Sequence, residues 1–368
     1  MTLCRRKILF LIPSLAGGGA ERVFSLLLAH LDRSRFELHL GLLQAEGPFL
    51  PEVPPDVTIH KLHVSRVRYA LPALLKLVWR LKPHTVLSTL SHLNLALAIC
   101  KFLMPRSTRL ILRQAWSVNG NMELIKNPNR WNWAYRRFYG NADLIVCQSD
   151  YMMEELRRHS CLSPTKLVRI YNPVDLRRVW ESAQSGERPY PGSGLNIVTA
   201  GRLSWEKGYD VLLDAMPEVI RALPSVQVYI LGDGPRHEEL LEQSHRLALG
   251  EVVHFVGFQK NPWPYFWHAD LFVLPSRDDA LPNALLEALA LGKAVVATDC
   301  PGGIREILDC DSTIVLVRPG NAGELAKAII AACQSPRKAG AGVAETRLRM
   351  HKFDLQQLME DYVKILSG

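Results

Sequence analysis

Two successive series of apolar runs, each run paired with a helix-like stretch, lie on either side of residues 181–194, ESAQSGERPYPGSG, a segment with almost no core-forming side chains. In the first series KILFLIP (7–13), FELHLGLLQ (36–44), TVLSTL (85–90), RLILRQ (109–114) and DLIVCQS (143–149) read as strands, with Val168–Tyr171 as a short last one. Helical patterns such as Glu21–Leu31, Ala70–Leu81 and Leu95–Leu103 fall between them. The series then restarts with LNIVTAG (195–201), VQVYILG (226–232), VVHFVGF (252–258), LFVLPS (271–276), AVVATD (294–299) and TIVLV (313–317). Continuous apolar strands alternating with helices predict parallel sheets covered on both faces. The Ser-, Gly- and Pro-rich segment predicts an exposed linker. The expected organisation is α/β: a first domain over 1–178, a linker over 179–194, a second domain over 195–345 and a closing helix over 346–368. Two doubly wound domains joined in this way bind ligands at the carboxyl ends of their strands, in a cleft.

The bulk properties exclude several classes. A chain of 368 residues with 48% hydrophobic and 22% charged residues can bury two cores and is not disordered. No apolar run approaches the ~18–20 residues of a membrane-spanning helix. The start, MTLCRRKILFLIPSLAGGGA, imitates a signal peptide, but its removal would delete the first strand of the series, so the strand reading is preferred. The seven cysteines, Cys4, Cys100, Cys147, Cys161, Cys300, Cys310 and Cys333, form no CxxC pair and indicate neither a zinc site nor a disulfide framework. A reducing cytoplasm is the simplest compartment. Charge is uneven: residues 1–175 hold 24 Lys and Arg against 12 Asp and Glu, and residues 57–122 hold ten against none. A one-signed stretch of that length predicts an anionic partner.

Four stretches carry chemistry. GGGAERV, Gly17 to Val23, follows the first strand, and its glycines with the helix N-terminus behind them suit close approach of a phosphate or sugar; a tight turn explains it equally. It is neither GxGxxG nor a phosphate loop ending in GK[ST], so neither a nicotinamide fold nor an ATPase is supported. TAGRLSWEKGYDVLLDA (199–215) places Arg202 and Lys207 between Gly201 and Gly208 after a strand, where two cations could clamp a diphosphate; solvated surface charge is the plainer alternative. LGDGP (231–235) supplies Gly232 and Gly234, for which a structural turn suffices. LPSRDDALPNALLEALALGKAVVATDCPGGIREIL (274–308) sets an acidic loop before a helix beginning near Pro282. On that helix Leu285, Leu286 and Leu289 share a face, and Glu287 lies outside it, free to bind vicinal ribose hydroxyls or to stand exposed in water. Asp279 in the loop could hold sugar hydroxyls.

Taken in order, strand–GRL–x4–KG, LGDGP and PS–acid–x3–PNALLEA followed by GG–x2–E resemble glycosyltransferase family 4, with the GT-B fold. The likeness runs from residue 8 to about 308, and GGGAER, ADLIVCQS and IYNPVD (170–175) are similar to the loops of bacterial members that build O-antigens, capsules, exopolysaccharides and protein glycans. The resemblance implies two Rossmann-like domains facing a deep cleft, with a C-terminal helix crossing back to the first. It implies a retaining transferase in which Arg202 and Lys207 bind the donor diphosphate and Glu287 the ribose. Asp279 takes the first place of the family's E–x7–E pair, and Gly18, Gly19, Gly201, Gly234, Leu281, Pro282 and Asn283 complete the donor set. Here the pair reads D–x7–E and Ala280-Leu281 replaces the usual Gly-Phe, a departure bearing on which sugar is used. His92, Arg113 and Gln114, at strand ends of the first domain, are the acceptor-side candidates.

The expected donor is a nucleotide sugar, UDP-linked by family habit, and the acceptor a lipid-linked or oligosaccharide glycan. No cofactor or metal is expected, since two fixed cations serve the diphosphate and no metal-ligand constellation is visible. Residues 66–82, RVRYALPALLKLVWRLK, either lie on an anionic membrane or pack their apolar stripe inward; the inward reading is preferred for the stripe, while the basic face is still drawn to anionic lipid at the inner side of the cell membrane. Nucleic acid is not an expected partner. Two other readings fit the architecture: a nucleotide-sugar epimerase, or a non-catalytic nucleotide-sugar-binding partner protein.

Overall fold

The computed structural model describes residues 5–117, 127–159, 162–308, 314–335 and 348–368. Cys4, Cys161 and Cys310 lie outside them, as do the expected end of the second domain at 345 and the start of the closing helix at 346. The chain divides into two compact units, Met1–Pro173 with Gln356–Gly368, and Val174–Leu355.

The first unit is built on seven parallel strands: β1 (Arg6–Ile12), β2 (Phe36–Leu42), β3 (Thr58–Lys61), β4 (Thr85–Thr89), β5 (Arg109–Arg113), β6 (Leu144–Cys147) and β7 (Leu167–Arg169), in the spatial order β3-β2-β1-β4-β5-β6-β7. The order reverses between β1 and β4, as in a doubly wound sheet. Ile8 to Ile12 are fully buried because β1 is flanked by strands on both edges and by helices on both faces. β3 was not expected from the sequence. It is an edge strand, half-buried or exposed throughout, so it needs no apolar run. Helix α1 (Gly19–His30) follows β1 directly, and α2 (Val67–Leu81) turns Ala70, Leu74, Leu77 and Val78 inward. Its apolar stripe is therefore core. Helix α3 (Ser91–Cys100) follows β4, and α4 (Pro128–Phe138) and α5 (Asp150–His159) flank β6 in sequence.

The second unit has six parallel strands, β8 (Leu195–Ala200), β9 (Val226–Leu231), β10 (Val253–Gly257), β11 (Leu271–Leu274), β12 (Val295–Thr298) and β13 (Ile314–Val317), ordered β10-β9-β8-β11-β12-β13. Its core gathers Ile197, Leu212, Met216, Val228, Val273 and Ile329 from the sheet and its helices. Each such side chain taken fully from water stabilises the fold by about 1.5–3 kcal/mol. The unit begins earlier than expected. Residues 179–184, read as linker, belong to helix α6 (Leu176–Gln184), which the Asp175 carboxylate caps by accepting from the Arg178 N–H at 3.0 Å. Helices α7 (Tyr209–Ala222), α8 (His237–Arg246), α9 (Trp263–His268), α10 (Asn283–Ala290), α11 (Ile304–Leu308) and α12 (Ala322–Gln334) complete it. Trp180 of α6 meets Trp267 of α9 edge-on with ring centroids 5.2 Å apart, anchoring this helix to the second unit. The final helix, α13 (Leu355–Ser367), has its residues from Gln356 onward in the first unit.

Candidate active site

In the second unit the loops at the carboxyl ends of β8, β9, β11 and β12 converge. Two glycines let them do so. Gly208 has φ +66 and Gly302 φ +132, and a Cβ at either would collide with a backbone oxygen of the β11 loop, Pro275 O or Asp279 O. No L-residue fits such a place without strain. The Gly302 loop also pairs with the Asp279 loop through backbone, Asp279 N–H to Pro301 O at 3.1 Å and Gly303 N–H to Ala280 O at 2.9 Å.

This convergence brings together Lys207 and Asp279. The Lys207 ammonium donates to Asp279 Oδ2 at 2.6 Å, and Ser276 Oγ donates to the same oxygen at 3.3 Å. Asp279 is 8% exposed. Burial alone would lower the Lys207 pKa, but the charge and hydrogen bond of Asp279, with Glu206 behind them, carry it above the usual lysine value. The amine stays cationic at neutral pH. Sequence reasoning named both residues for separate duties and did not foresee their bond.

A second pair joins the same two loops. Arg277 grips Asp210 with both terminal nitrogens at 2.7 Å, donates to Trp205 O at 3.0 Å and stands over the Trp205 ring. Its backbone N–H donates to Glu206 O at 2.7 Å. Neither Arg277 nor Asp210 carried any sequence signal of a role.

Glu287 is 6% exposed and accepts from Trp263 Nε1 at 2.9 Å. This corrects the exposed-carboxylate alternative: α9 covers that side of α10, and the indole N–H supplies the partner a buried carboxylate requires. Pro282 is the N-cap of α10, with Asn283 its half-buried first residue and Leu281 buried at 3%. Arg202 is exposed, and its guanidinium has no hydrogen bond or ion pair among the described residues. Gly201 lies where a side chain would meet the Tyr209 hydroxyl, and Gly234 packs against the backbone of Leu203.

In the first unit Gly18 is the N-cap of α1 and Gly19 its first residue, so this helix begins directly after the loop that follows β1. His92, second in α3, is exposed with its ring 4.9 Å from that of Trp131. Arg113 and Gln114 depart from expectation. At 0% and 1% exposure they belong to a buried polar network. Arg113 donates to Asn172 Oδ1 at 2.5 Å, Gln114 Oε1 accepts from the hydroxyls of Tyr135 and Tyr139, and Asn172 donates to Gln148. Both side chains are buried and bonded within the unit, with Arg113 Nε alone among their nitrogen and oxygen atoms lacking a partner among the described residues. Among the described residues no group of three or more His, Cys, Asp or Glu is placed to hold a metal ion.

Two all-parallel, doubly wound units, the second gathering charged side chains at its strand ends, have the architecture of the GT-B fold. The family model for Glycosyltransferase Family 4 matches residues 17–178 and that for glycosyl transferases group 1 matches residues 194–335, and the chain belongs to this family. It is 28% identical, over 99% of its length and 100% of the relative's, to N-acetylgalactosamine-N,N'-diacetylbacillosaminyl-diphospho-undecaprenol 4-alpha-N-acetylgalactosaminyltransferase of Campylobacter jejuni. It is 26% identical to the lipopolysaccharide core biosynthesis glycosyltransferase LpsE of Rhizobium meliloti, over 63% of this chain and 66% of that one. Among solved structures, HepE of Anabaena in complex with UDP-glucose superimposes with a TM-score of 0.79 at 23% identity, covering 98% of this chain and 99% of that one. That likeness establishes the fold.

Proposed function

We propose that the protein is a retaining, metal-independent glycosyltransferase that moves a hexosyl or N-acetylhexosaminyl group from a UDP-sugar to a lipid-linked or surface-polysaccharide glycan. The observation that carries this reading is the pairing of Lys207 with Asp279, with Arg202 in the same connection after β8 and its guanidinium without a partner among the described residues. A diphosphate placed there meets two cations, one held rigidly and one free to turn, and both gain in strength as negative charge develops on the leaving group. In the proposed step the bond between the anomeric carbon and the diphosphate oxygen breaks while the acceptor hydroxyl attacks the same face. The acceptor's proton passes to the departing phosphate. Asp279 holds sugar hydroxyls and Glu287 the ribose, their carboxylates fixed beforehand by Lys207 and Trp263. His92 is the remaining acceptor-side candidate, being the one of the three that is exposed.

The relative that acts on a diphospho-undecaprenol glycan supports a lipid-linked acceptor. The acid-free stretch 57–122 supports peripheral contact with anionic lipid at the cytoplasmic face of the membrane. No helix among the described residues is long and apolar enough to cross a membrane.

The test is UDP release from a panel of UDP-sugars, with EDTA present, with and without a polyprenyl-diphosphate glycan. Acceptor-dependent release of one UDP with the anomeric configuration kept supports the proposal. Release of a free sugar epimer without acceptor would replace it by an epimerase. Binding without turnover under every condition would leave only the non-catalytic reading.

A further inference from the structure

Arg113 and Gln114 are buried, but the network that holds them runs outward to two rings that are not. Gln114 Oε1 accepts from the hydroxyls of Tyr135 and Tyr139, and Asn94 of α3 donates to the Arg113 carbonyl at 2.9 Å and to the Tyr139 hydroxyl at 3.3 Å. The Tyr135 and Tyr139 rings stack with centroids 4.1 Å apart. Trp131 lies 5.8 Å from Tyr135, and His92 lies 4.9 Å from Trp131, its ring tilted by 57°. The four rings form a ladder from the core to the surface: Tyr139 and Tyr135 are buried, Trp131 is half-buried and His92 is exposed. His92 is the second residue of α3, directly after β4, where the strand order reverses beside β1. Doubly wound sheets bind ligands at that point. Among the described residues neither nitrogen of the His92 ring has a hydrogen-bond partner.

We infer that Trp131 and His92 form a platform for one pyranose ring of the acceptor glycan, the indole taking the C–H face of the sugar and the imidazole nitrogens its hydroxyls. Gln114, Tyr135 and Tyr139 are positioning residues: they fix the plane of Trp131 before a ligand arrives, which spares the ligand the cost of ordering it. The platform extends the transferase reading and rests on it for naming the glycan an acceptor. The chemistry of the two rings selects a sugar over the other parts of a lipid-linked glycan. A phosphate would lie against ring faces that carry negative charge density. A polyprenyl chain would cover the indole but strip water from the imidazole nitrogens without replacing its hydrogen bonds, which is costly. A sugar ring brings an apolar face and a rim of hydroxyls together and satisfies both.

The test is binding, in detergent and without donor, of undecaprenyl diphosphates bearing short hexose or N-acetylhexosamine glycans, each compared with the bare carrier. The parent should prefer at least one sugar-bearing carrier by about ten-fold. Trp131→Leu keeps apolar volume against Tyr135 but has no flat face, so it should abolish that preference and leave affinity for the bare carrier unchanged. Trp131→Phe should restore most of it. His92→Ala, at an exposed position where folding is not at stake, should lose part of the preference. Tyr135→Phe, which deletes only the hydroxyl bonded to Gln114, should also lose part of it while the bare carrier binds as before, a result that loosened packing alone would not give. No preference in the parent for any sugar-bearing carrier, equal weakening of bare and sugar-bearing carriers by Trp131→Leu and His92→Ala, or a preference intact in both variants would overturn the inference. A preference lost in both, in a parent that releases no UDP from any donor with these carriers, would uphold the platform and sink the transferase reading alone.

Discussion

Lys207 and Asp279 stand 2.6 Å apart, and the two loops that carry them are joined again, with the charges exchanged, by Arg277 and Asp210. In these two pairs the connection from β8 into α7 contributes Lys207 and Asp210 and the loop after β11 contributes Asp279 and Arg277, so each cation is matched across the two segments. The arrangement fixes the loops against sliding, because any shift that lengthens one pair disturbs the other. It also divides labour: the pair containing Asp279 faces the strand ends where a donor is proposed to lie, while the Arg277 pair, backed by Arg236 and Trp205, is structural support.

Removing the ammonium should be costly in two ways. Lys207→Ala withdraws charge from the proposed leaving group, an effect of about 10²–10³ in kcat where a fixed transition-state donor is lost. It also leaves Asp279 buried without its cation, which costs about 3 kcal/mol of stability. Asp279→Glu, by restoring the longer carboxylate, should alter the ratio of kcat/KM between UDP-sugars by about ten-fold while leaving UDP affinity unchanged. Steady-state UDP release and thermal unfolding measure both. Activity of Lys207→Ala within ten-fold of the parent would remove Lys207 from the mechanism.

The second pair makes a prediction in acid. Burial by itself would raise the Asp210 pKa, but the hydrogen bonds and charge of Arg277, with the charge of Arg236, bring it below the ordinary value of 3.8. A carboxylate held lower in the folded than in the unfolded chain contributes stability that is complete above pH 3.8 and is lost as the pH falls through the folded value. Arg277→Ala should therefore lower stability at neutral pH by about 1–3 kcal/mol and flatten the loss below about pH 4. Denaturant titrations at neutral pH and about pH 3 give the comparison, and parallel curves for parent and variant would refute the assignment.

The central strands were legible because a strand buried on both faces must be written in apolar residues, as Ile8 to Ile12 are. β3 escaped because an edge strand is released from that rule. The helix start at Pro282 was legible from local chemistry, and the order of motifs is what singled out Lys207, Asp279 and Glu287 for attention. What could not be read was which distant side chain closes each site. Glu287 was expected outside the apolar stripe, meeting ribose or water, and one of its oxygens accepts from Trp263, while Arg113 was expected at a strand end facing the cleft and lies beside Tyr362 of α13. Period and propensity report an element's own faces. They do not report the partner that folds over them.

The Trp263–Glu287 bond can be tested without disturbing the packing around it. Trp263→Phe keeps most of the ring and removes the N–H, so one oxygen of a buried carboxylate loses a donor. Such a loss costs about 1–3 kcal/mol. If Glu287 meets the ribose, the variant should bind UDP about ten-fold more weakly, and uridine binding should fall by the same factor since the bond does not concern the diphosphate. Calorimetry with both ligands measures this. A loss confined to UDP would place Glu287 away from the ribose.

Lys293 predicts an alkaline effect of the opposite sign to the usual one. Its ammonium donates to the carbonyls of Trp267 and Ala269 at 2.6 and 3.3 Å, at the end of α9 that supports Trp263. Burial brings its pKa from 10.5 down to about 8. Below the folded value the lysine is charged in both folded and unfolded chains, and its contribution is flat. Between the two values the unfolded chain holds a proton that the folded chain has released, so stability rises with pH across that window. The gain should be roughly 1–2 kcal/mol after allowance for partial solvent access. Lys293→Met shifts the baseline by removing the donor to two carbonyls, but it has no proton to release and must lose the rise itself. Denaturant midpoints taken from about pH 7 to pH 10 separate baseline from slope, and a rise that persists in the variant would mean that another group titrates.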